Sequence, residues 1–155
     1  MTTNVKVQAF FDELTNTVSY IVWKLESREA AIIDPVLDYD HASGHCSVTS
    51  ADTILQFVTD NGLQVKWILE THAHADHLSA APYLKLRTGA PVAIGEHIRD
   101  VQTLFRPVFN LTDVSGDGSE FDRLLKEGDQ LSLGGATITV LHTPGHTPAC
   151  VSYYV

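Results

Sequence analysis

A buried strand, Val65 to Glu70, runs directly into Thr71-His72-Ala73-His74-Ala75-Asp76-His77, and this junction constrains the chain more than any other segment. In extended backbone, residues two apart share a face, so His72 and His74 can converge on one ion. Asp76 and His77 fall where the chain turns toward the next helix. A distant run, His142-Thr143-Pro144-Gly145-His146, delivers another imidazole after a Pro-Gly turn. Neutral imidazole suits zinc and iron, and a catalytic metal needs an incomplete protein shell. His72, His74 and His146 are candidates for its fixed part. The competing reading makes these loop histidines, with Asp76 a helix N-cap. Three histidines and an aspartate within six positions argue against it.

Around this junction the pattern alternates short strands with helices, which predicts an α/β layered domain. β-Branched and aromatic runs predict antiparallel strands over Val5–Phe11, Thr17–Leu25 and Ala30–Ile33, the last stopped by Asp34-Pro35. Residues 39–50 lack an apolar period and read as a surface loop. A helix follows, with Ala51, Ile54, Leu55, Phe57 and Val58 at helical spacing, Ser50 as N-cap and Asn61-Gly62 as stop. Residues 78–87 are predicted helical, with Pro82 in the first turn and Thr88-Gly89 at the end. Residues 92–95 form a strand, 96–109 a short helix broken at Pro107, and 113–120 an acidic loop. Strands are expected over 131–133, 137–141 and 149–155, the first two joined through Gly134-Gly135.

At 155 residues with 44% hydrophobic and 19% charged content, the chain reads as one domain, residues 1–155, able to bury a core. Ten basic residues against 19 acidic give a net charge of −9, which argues against nonspecific binding to nucleic acid or anionic membrane. No stretch approaches the roughly 18 to 20 apolar residues of a membrane span. Cys46 and Cys150 lack metal-ribbon or disulfide-framework spacing, and a reducing cytoplasmic setting is expected.

Weaker candidates have plain alternatives. His41, His45 and Cys46 cluster in a polar loop without a fourth ligand, so solvation is the better reading. Cys150, beside the metal turn, reads as a small packed hydrophobe rather than a redox thiol. His142 can orient the metal turn, whereas His97 reads as a residue at a helix start. Lys85, Arg87, Arg99 and Arg106 are candidates for holding substrate carboxylates, but basic residues on helices are usually solvated.

The run His72-Ala73-His74-Ala75-Asp76-His77 matches in full the His-x-His-x-Asp-His signature of the metallo-β-lactamase superfamily, which the chain resembles from about Val5 to its last residue. Ile33-Asp34-Pro35-Val36, Thr71 to His77 and Thr143-Pro144-Gly145-His146-Thr147-Pro148-Ala149-Cys150 together resemble the persulfide dioxygenases more than the glyoxalase II hydrolases. The loop after Leu37-Asp38-Tyr39-Asp40 is similar to a bacterial branch of that group. The resemblance implies an αββα sandwich with one Fe(II) held by two histidines and a carboxylate, leaving positions for a persulfide and O₂. His72 and His146 are then the histidine ligands, with His74, Asp76 and His77 in outer positions. The family's aspartate ligand lies beyond Val155, so the fold is expected to be incomplete at the C-terminus, roughly the N-terminal two-thirds of a longer enzyme. Val151, Tyr153, Tyr154 and Val155 are expected to form an exposed apolar strand that promotes homo-oligomers.

The implied reaction is oxidation of glutathione persulfide by O₂ to sulfite and glutathione. In the zinc hydrolases of the superfamily, His72, His74 and His146 would hold one metal, while Asp76 and His77 contribute to a second. Two further hypotheses therefore stand beside the leading one: zinc-dependent thioester hydrolysis, and a catalytically silent metal-binding or interaction module.

Overall fold

Strict alternation of inward side chains along four strands explains why the molecule is built in layers. Ile21, Ile32, Ile68 and Val92 pack into one apolar cluster, whereas their neighbours Val22, Ala31, Leu69 and Ala93 pack into another. Successive residues of a strand point to opposite faces, so one sheet has cores on both sides. The computed structural model describes residues 4–155. Its main sheet contains β1 (Val5–Asp12), β2 (Thr17–Lys24), β3 (Glu29–Ile33), β6 (Gln64–Glu70), β8 (Val92–Gly95) and β9 (Arg123–Leu125), in that spatial order. β1 to β3 are antiparallel, and β3, β6, β8 and β9 are parallel.

Helices α1 (Thr49–Asp60) and α2 (Ala81–Thr88) cover one face through Ala51, Ile54, Ala81 and Leu84. A three-stranded sheet, β10 (Gln130–Leu133), β11 (Ala136–His142) and β12 (Val151–Tyr154), covers the other through Leu131, Ile138, Val140 and Val151. A helical layer on two facing sheets is the arrangement of the αββα sandwich. The outer face of the second sheet presents Ser132, Thr137, Leu141, Ser152 and Tyr154 to solvent. No helix among the described residues is long and apolar enough to cross a membrane.

Several expectations need correction. Residues 39–50 are not simply loop: β4 (Val36–Asp40) and β5 (His45–Ser47) form a hairpin, and β4 also pairs with β7 (Leu78–Ser79). Ser50 does not cap α1. The preceding Val48 takes that position, while Asp38 accepts hydrogen bonds from Ser50 N at 2.9 Å and Ser50 Oγ at 2.5 Å, so the cap is a cross-element one. Helix α2 begins at Ala81, after β7, rather than at Leu78. Helix α3 (Ile98–Val108) continues past Pro107, which sits in the last turn and removes one intrahelical donor. The three-residue β9 was missed because its apolar run is too short to stand out. Of the terminal residues expected to be exposed, Tyr154 is, but Val151 is buried, and the half-buried Tyr153 donates its hydroxyl to the Glu70 carbonyl at 2.8 Å.

Parallel strands end on the same edge, and this places the chemistry. The carboxyl end of β3 delivers Asp34 beside the carboxyl end of β6, which delivers Glu70 and Thr71. Clefts outside the carboxyl ends of parallel strands are where ligands collect in such sheets. The second sheet joins this edge where Val151 N donates to the Thr71 carbonyl at 2.9 Å. Gly95 makes the approach feasible, since a Cβ there would lie 2.7 Å from Val151 Cγ1.

Candidate metal centre

Asp34 organises the site. It sits at φ 48°, a left-handed conformation that aspartate tolerates better than most residues, and it is almost fully buried. Its carboxylate accepts Thr71 N at 2.7 Å, Thr71 Oγ1 at 2.8 Å and a hydrogen bond from His74 Nε2 at 3.0 Å. Burial alone would raise the Asp34 pKa, but the His74 hydrogen bond and charge, together with Thr71, hold it below the ordinary carboxylate range.

This arrangement fixes the tautomer of His72. The Thr71 hydroxyl has one proton, which goes to Asp34, so it can only accept from His72 Nδ1, 2.9 Å away. The His72 Nε2 lone pair is therefore the one available to a metal. Burial, followed by the charge of His74, lowers the His72 pKa and favours the neutral ligand form. The His146 ring lies 4.9 Å from that of His72, centroid to centroid, so the structure brings the two histidines together across 74 residues of sequence. His146 is carried on a turn braced by Thr143 N to the Cys150 carbonyl at 3.0 Å and Gly145 N to the Thr147 carbonyl at 3.2 Å.

His74 is placed differently. Its ring is 4.1 Å from those of both His72 and His77, yet Nε2 is directed at Asp34 and lies 3.3 Å from Glu70 Oε2. One N–H cannot align with both acids, so Glu70 Oε2 is buried without a hydrogen bond although it is within ion-pair distance. Burial opposes charge on His74, but the Asp34 hydrogen bond and the close carboxylates of Asp34 and Glu70 prevail and lift its pKa from 6.5 to about 9. Burial raises the Glu70 pKa, only partly offset by His74 and Ser79. Ser79 Oγ donates to the other Glu70 oxygen.

Asp76 and His77 complete the loop. Asp76 is not a helix cap: its carboxylate accepts the Thr17 hydroxyl at 3.1 Å, reaching across to β2. The His77 side chain is fully buried, and neither ring nitrogen has a hydrogen-bond partner. A buried imidazole whose Nδ1 comes no closer than 3.4 Å to the Asp76 carboxylate and makes no hydrogen bond is a costly element of a purely structural loop and fits a metal donor. Burial and the His74 charge depress its pKa, again favouring the neutral form. Two groups of donors can each offer ligand atoms within 4.8 Å of one another: His74, Asp76 and His77, and Asp34, Glu70 and His74. The donor set thus suits a transition metal.

The weaker sequence candidates fall outside this cluster. His97, at the start of α3, stacks on His142 at 4.5 Å, and His142 Nε2 meets the Pro148 carbonyl at 2.9 Å, bracing the turn that carries His146. Cys150 is part-buried rather than packed, and its sulfur accepts from Thr147 N at 3.2 Å. His41 stacks edge-on to Tyr39 and lines a cavity of about 190 Å³ that also reaches His74 and His77, while Cys46 is exposed. Lys85 pairs with Asp122 at 2.6 Å, and Arg87, Arg99 and Arg106 bond to local oxygens. Sequence reasoning gave no site role to Asp34, Glu70, Ser79 or Tyr153. The signal for Glu70 was an acid ending an apolar strand.

The profile of the metallo-beta-lactamase superfamily matches residues 13–155. A probable metallo-hydrolase of Burkholderia pseudomallei is 53% identical over 150 residues, covering 96% of this chain and 51% of its own length. The mitochondrial persulfide dioxygenase ETHE1 of Mus musculus is 27% identical over 150 residues, covering 96% of this chain and 47% of its own. The crystal structure of ETHE1 from Myxococcus xanthus superimposes with a TM-score of 0.71 at 27% identity, covering 96% of this chain and 53% of that one. The chain spans about half the length of these relatives.

Proposed function

Because the chain belongs to the metallo-beta-lactamase superfamily, we propose that it carries the histidine part of an iron-dependent persulfide dioxygenase. The reaction would take glutathione persulfide, O₂ and water to glutathione and sulfite, with the sulfane sulfur oxidised and O₂ reduced. The observation carrying this reading is the meeting of the His72 and His146 rings, 4.9 Å apart between centroids, at the edge where the two sheets join. The likeness to the persulfide dioxygenase of Mus musculus supports it.

His72 would bind through Nε2, with Thr71 and Asp34 fixing its tautomer. His146 would bind from the opposite sheet. When bound, Fe(II) would supply adjacent open positions for the persulfide sulfur and O₂. The cavity of about 390 Å³ bordered by Asn16, Asp34, His72, Asp76 and His146 has room for the reacting end of a small thiol persulfide. A reducing, cytoplasmic setting belongs to the same proposal, supported by two free cysteines, as does assembly into homo-oligomers through the open edge of β12.

The test is oxygen uptake by the chain, loaded with iron under anaerobic conditions, on addition of glutathione persulfide. One O₂ consumed per sulfite formed is the expected result, and no uptake by iron-loaded protein would overturn the proposal. A second reading, thioester hydrolysis by two zinc ions, is favoured by the proximity of His74, Asp76 and His77 and by the unpartnered nitrogens of His77. It requires two zinc ions per chain, turnover of a glutathione thioester, and loss of the second ion in Asp76→Asn.

A further inference from the structure

Helix α3 turns polar side chains to its own protein and an apolar stripe to solvent. Arg99 Nε donates to the Asp117 carbonyl at 3.0 Å, Gln102 Nε2 to Glu120 Oε2 at 2.9 Å, and Arg106 Nη1 to the Ser115 carbonyl at 3.2 Å, while Gln102 Oε1 accepts Gly118 N at 2.9 Å. Positions 99, 102 and 106 share one side of a helix, and that side is docked on the loop of residues 113–120. Of the apolar residues of α3 only Ile98 is buried. Leu104, Phe105 and Val108, grouped on an adjoining side, are 61%, 42% and 65% exposed, and the stripe runs on through Phe109 at 65% and Leu111 at 40%. The Phe105 and Phe109 rings stack on each other with centroids 5.7 Å apart.

A surface helix ordinarily buries its apolar stripe against its own core, so this one calls for a partner. At roughly 150–200 Å² for each large apolar side chain, those fractions expose about 400–550 Å² on one copy, at the upper end of what monomers show. Pairing the stripe with its counterpart on a second copy would remove about 800–1,100 Å², which with a polar rim reaches the lower end of the range for specific interfaces. An isologous contact requires only that a patch complement itself, and a row of Leu, Phe and Val on one helix does so when two such helices cross. A lipid surface fits less well. The chain carries a net charge of −9, and Asp113, Asp117 and Glu120 follow the stripe. Both arginines of α3 are already engaged by loop carbonyls, whereas helices that lie on membranes carry Lys and Arg on their polar face.

We propose that the stripe Leu104, Phe105, Val108, Phe109 and Leu111 is a twofold docking surface for a second copy of this chain, separate from the open edge of β12. This does not depend on the persulfide dioxygenase reading, because no metal or substrate enters the argument. An interface of this size makes a reversible dimer, with a dissociation constant on the order of 10 μM. Since both copies are acidic, added salt screens their repulsion and tightens the contact.

The experiment is sedimentation velocity of the full chain from about 1 to about 100 μM, comparing wild type, Phe105→Glu, Val108→Glu and Leu86→Glu. Leu86 is a control, an apolar residue of α2 that is 82% exposed and lies outside the stripe. Wild type and Leu86→Glu are expected to pass from monomer to dimer over this range, at lower concentration in higher salt. Both α3 variants are expected to stay monomeric, a loss of at least about tenfold in association. A wild type that is monomeric throughout would overturn the proposal. So would α3 variants that associate as wild type does, which would move the contact to another surface such as the β12 edge. Hydrogen exchange on wild type needs no variant to fold: amides of residues 98–111 should exchange more slowly at the higher concentration, and slowing confined to β12 would contradict the proposal. Sedimentation with phosphatidylcholine vesicles, by a chain that stays monomeric without them, would assign the stripe to lipid instead.

Discussion

His74 and His146 flank His72 and are the same residue type, yet they occupy opposite kinds of surroundings. The His74 side chain is 7% exposed and lies between two carboxylates, whereas His146 sits exposed on a turn held mainly by backbone hydrogen bonds. The first therefore commits one nitrogen, Nε2, to a buried acid, whereas the second is presented at the exposed surface of the turn. What an imidazole does is decided by what it faces. The spacing of histidines in the sequence cannot distinguish these cases, because it specifies who is near and not which nitrogen is engaged.

Substitutions on the two sides should separate cleanly. The largest effect is expected for His146→Ala, which should weaken metal binding by more than about 100-fold, beyond the range seen for outer groups, while leaving the metal-free chain as stable as before to about 0.5 kcal/mol in urea unfolding. Asp34→Ala should behave in the opposite sense. Removing it leaves His74 and Thr71 without their acceptor, and a loss of about 3–5 kcal/mol of unfolding free energy is expected, as for other broken buried pairs. If both substitutions destabilised the metal-free protein equally, the contrast between the two sides would fail.

A pH series sharpens the same contrast. His74, raised from 6.5 to about 9, contributes stability that is complete below about pH 6.5 and is lost as pH rises through about 9. His72 and His77 are depressed, by burial first and by the charge of His74 second, so protonating them in the folded state opposes folding as pH falls below 6.5. Stability of the metal-free chain should thus peak near pH 6.5 and fall on both sides, and His74→Gln should flatten the alkaline limb. The smallest effect belongs to Thr17→Val, which removes the hydroxyl bonded to the exposed Asp76 and should cost about 0.5 kcal/mol or less.

Much of the layered fold was legible because strand alternation and helix spacing are local signals. Residues 92–95, their sheet partner ending at Glu70, and the stop at Asn61-Gly62 follow from apolar period and turn residues. What was not legible depended on distant partners. Ser50 looked like a cap, but Asp38, twelve residues away, takes its hydrogen bonds. The terminal strand looked exposed until Tyr153 met the Glu70 carbonyl across 83 positions. In the site, the run from His72 to His77 and the return of His146 were visible from residue type alone, and the two rings do meet. Glu70 was not visible as a site residue, since an acid at a strand end reads as solvated until the structure shows it buried against His74.

The proposed dioxygenase reading has the metal met by two histidines, His72 and His146, with His74 in an outer position. X-ray absorption at the iron edge, on wild-type chain loaded with Fe(II) without oxygen, counts imidazoles directly. Two are expected, with the count unchanged in His74→Gln. Three imidazoles in wild type, falling to two in His74→Gln, would contradict it.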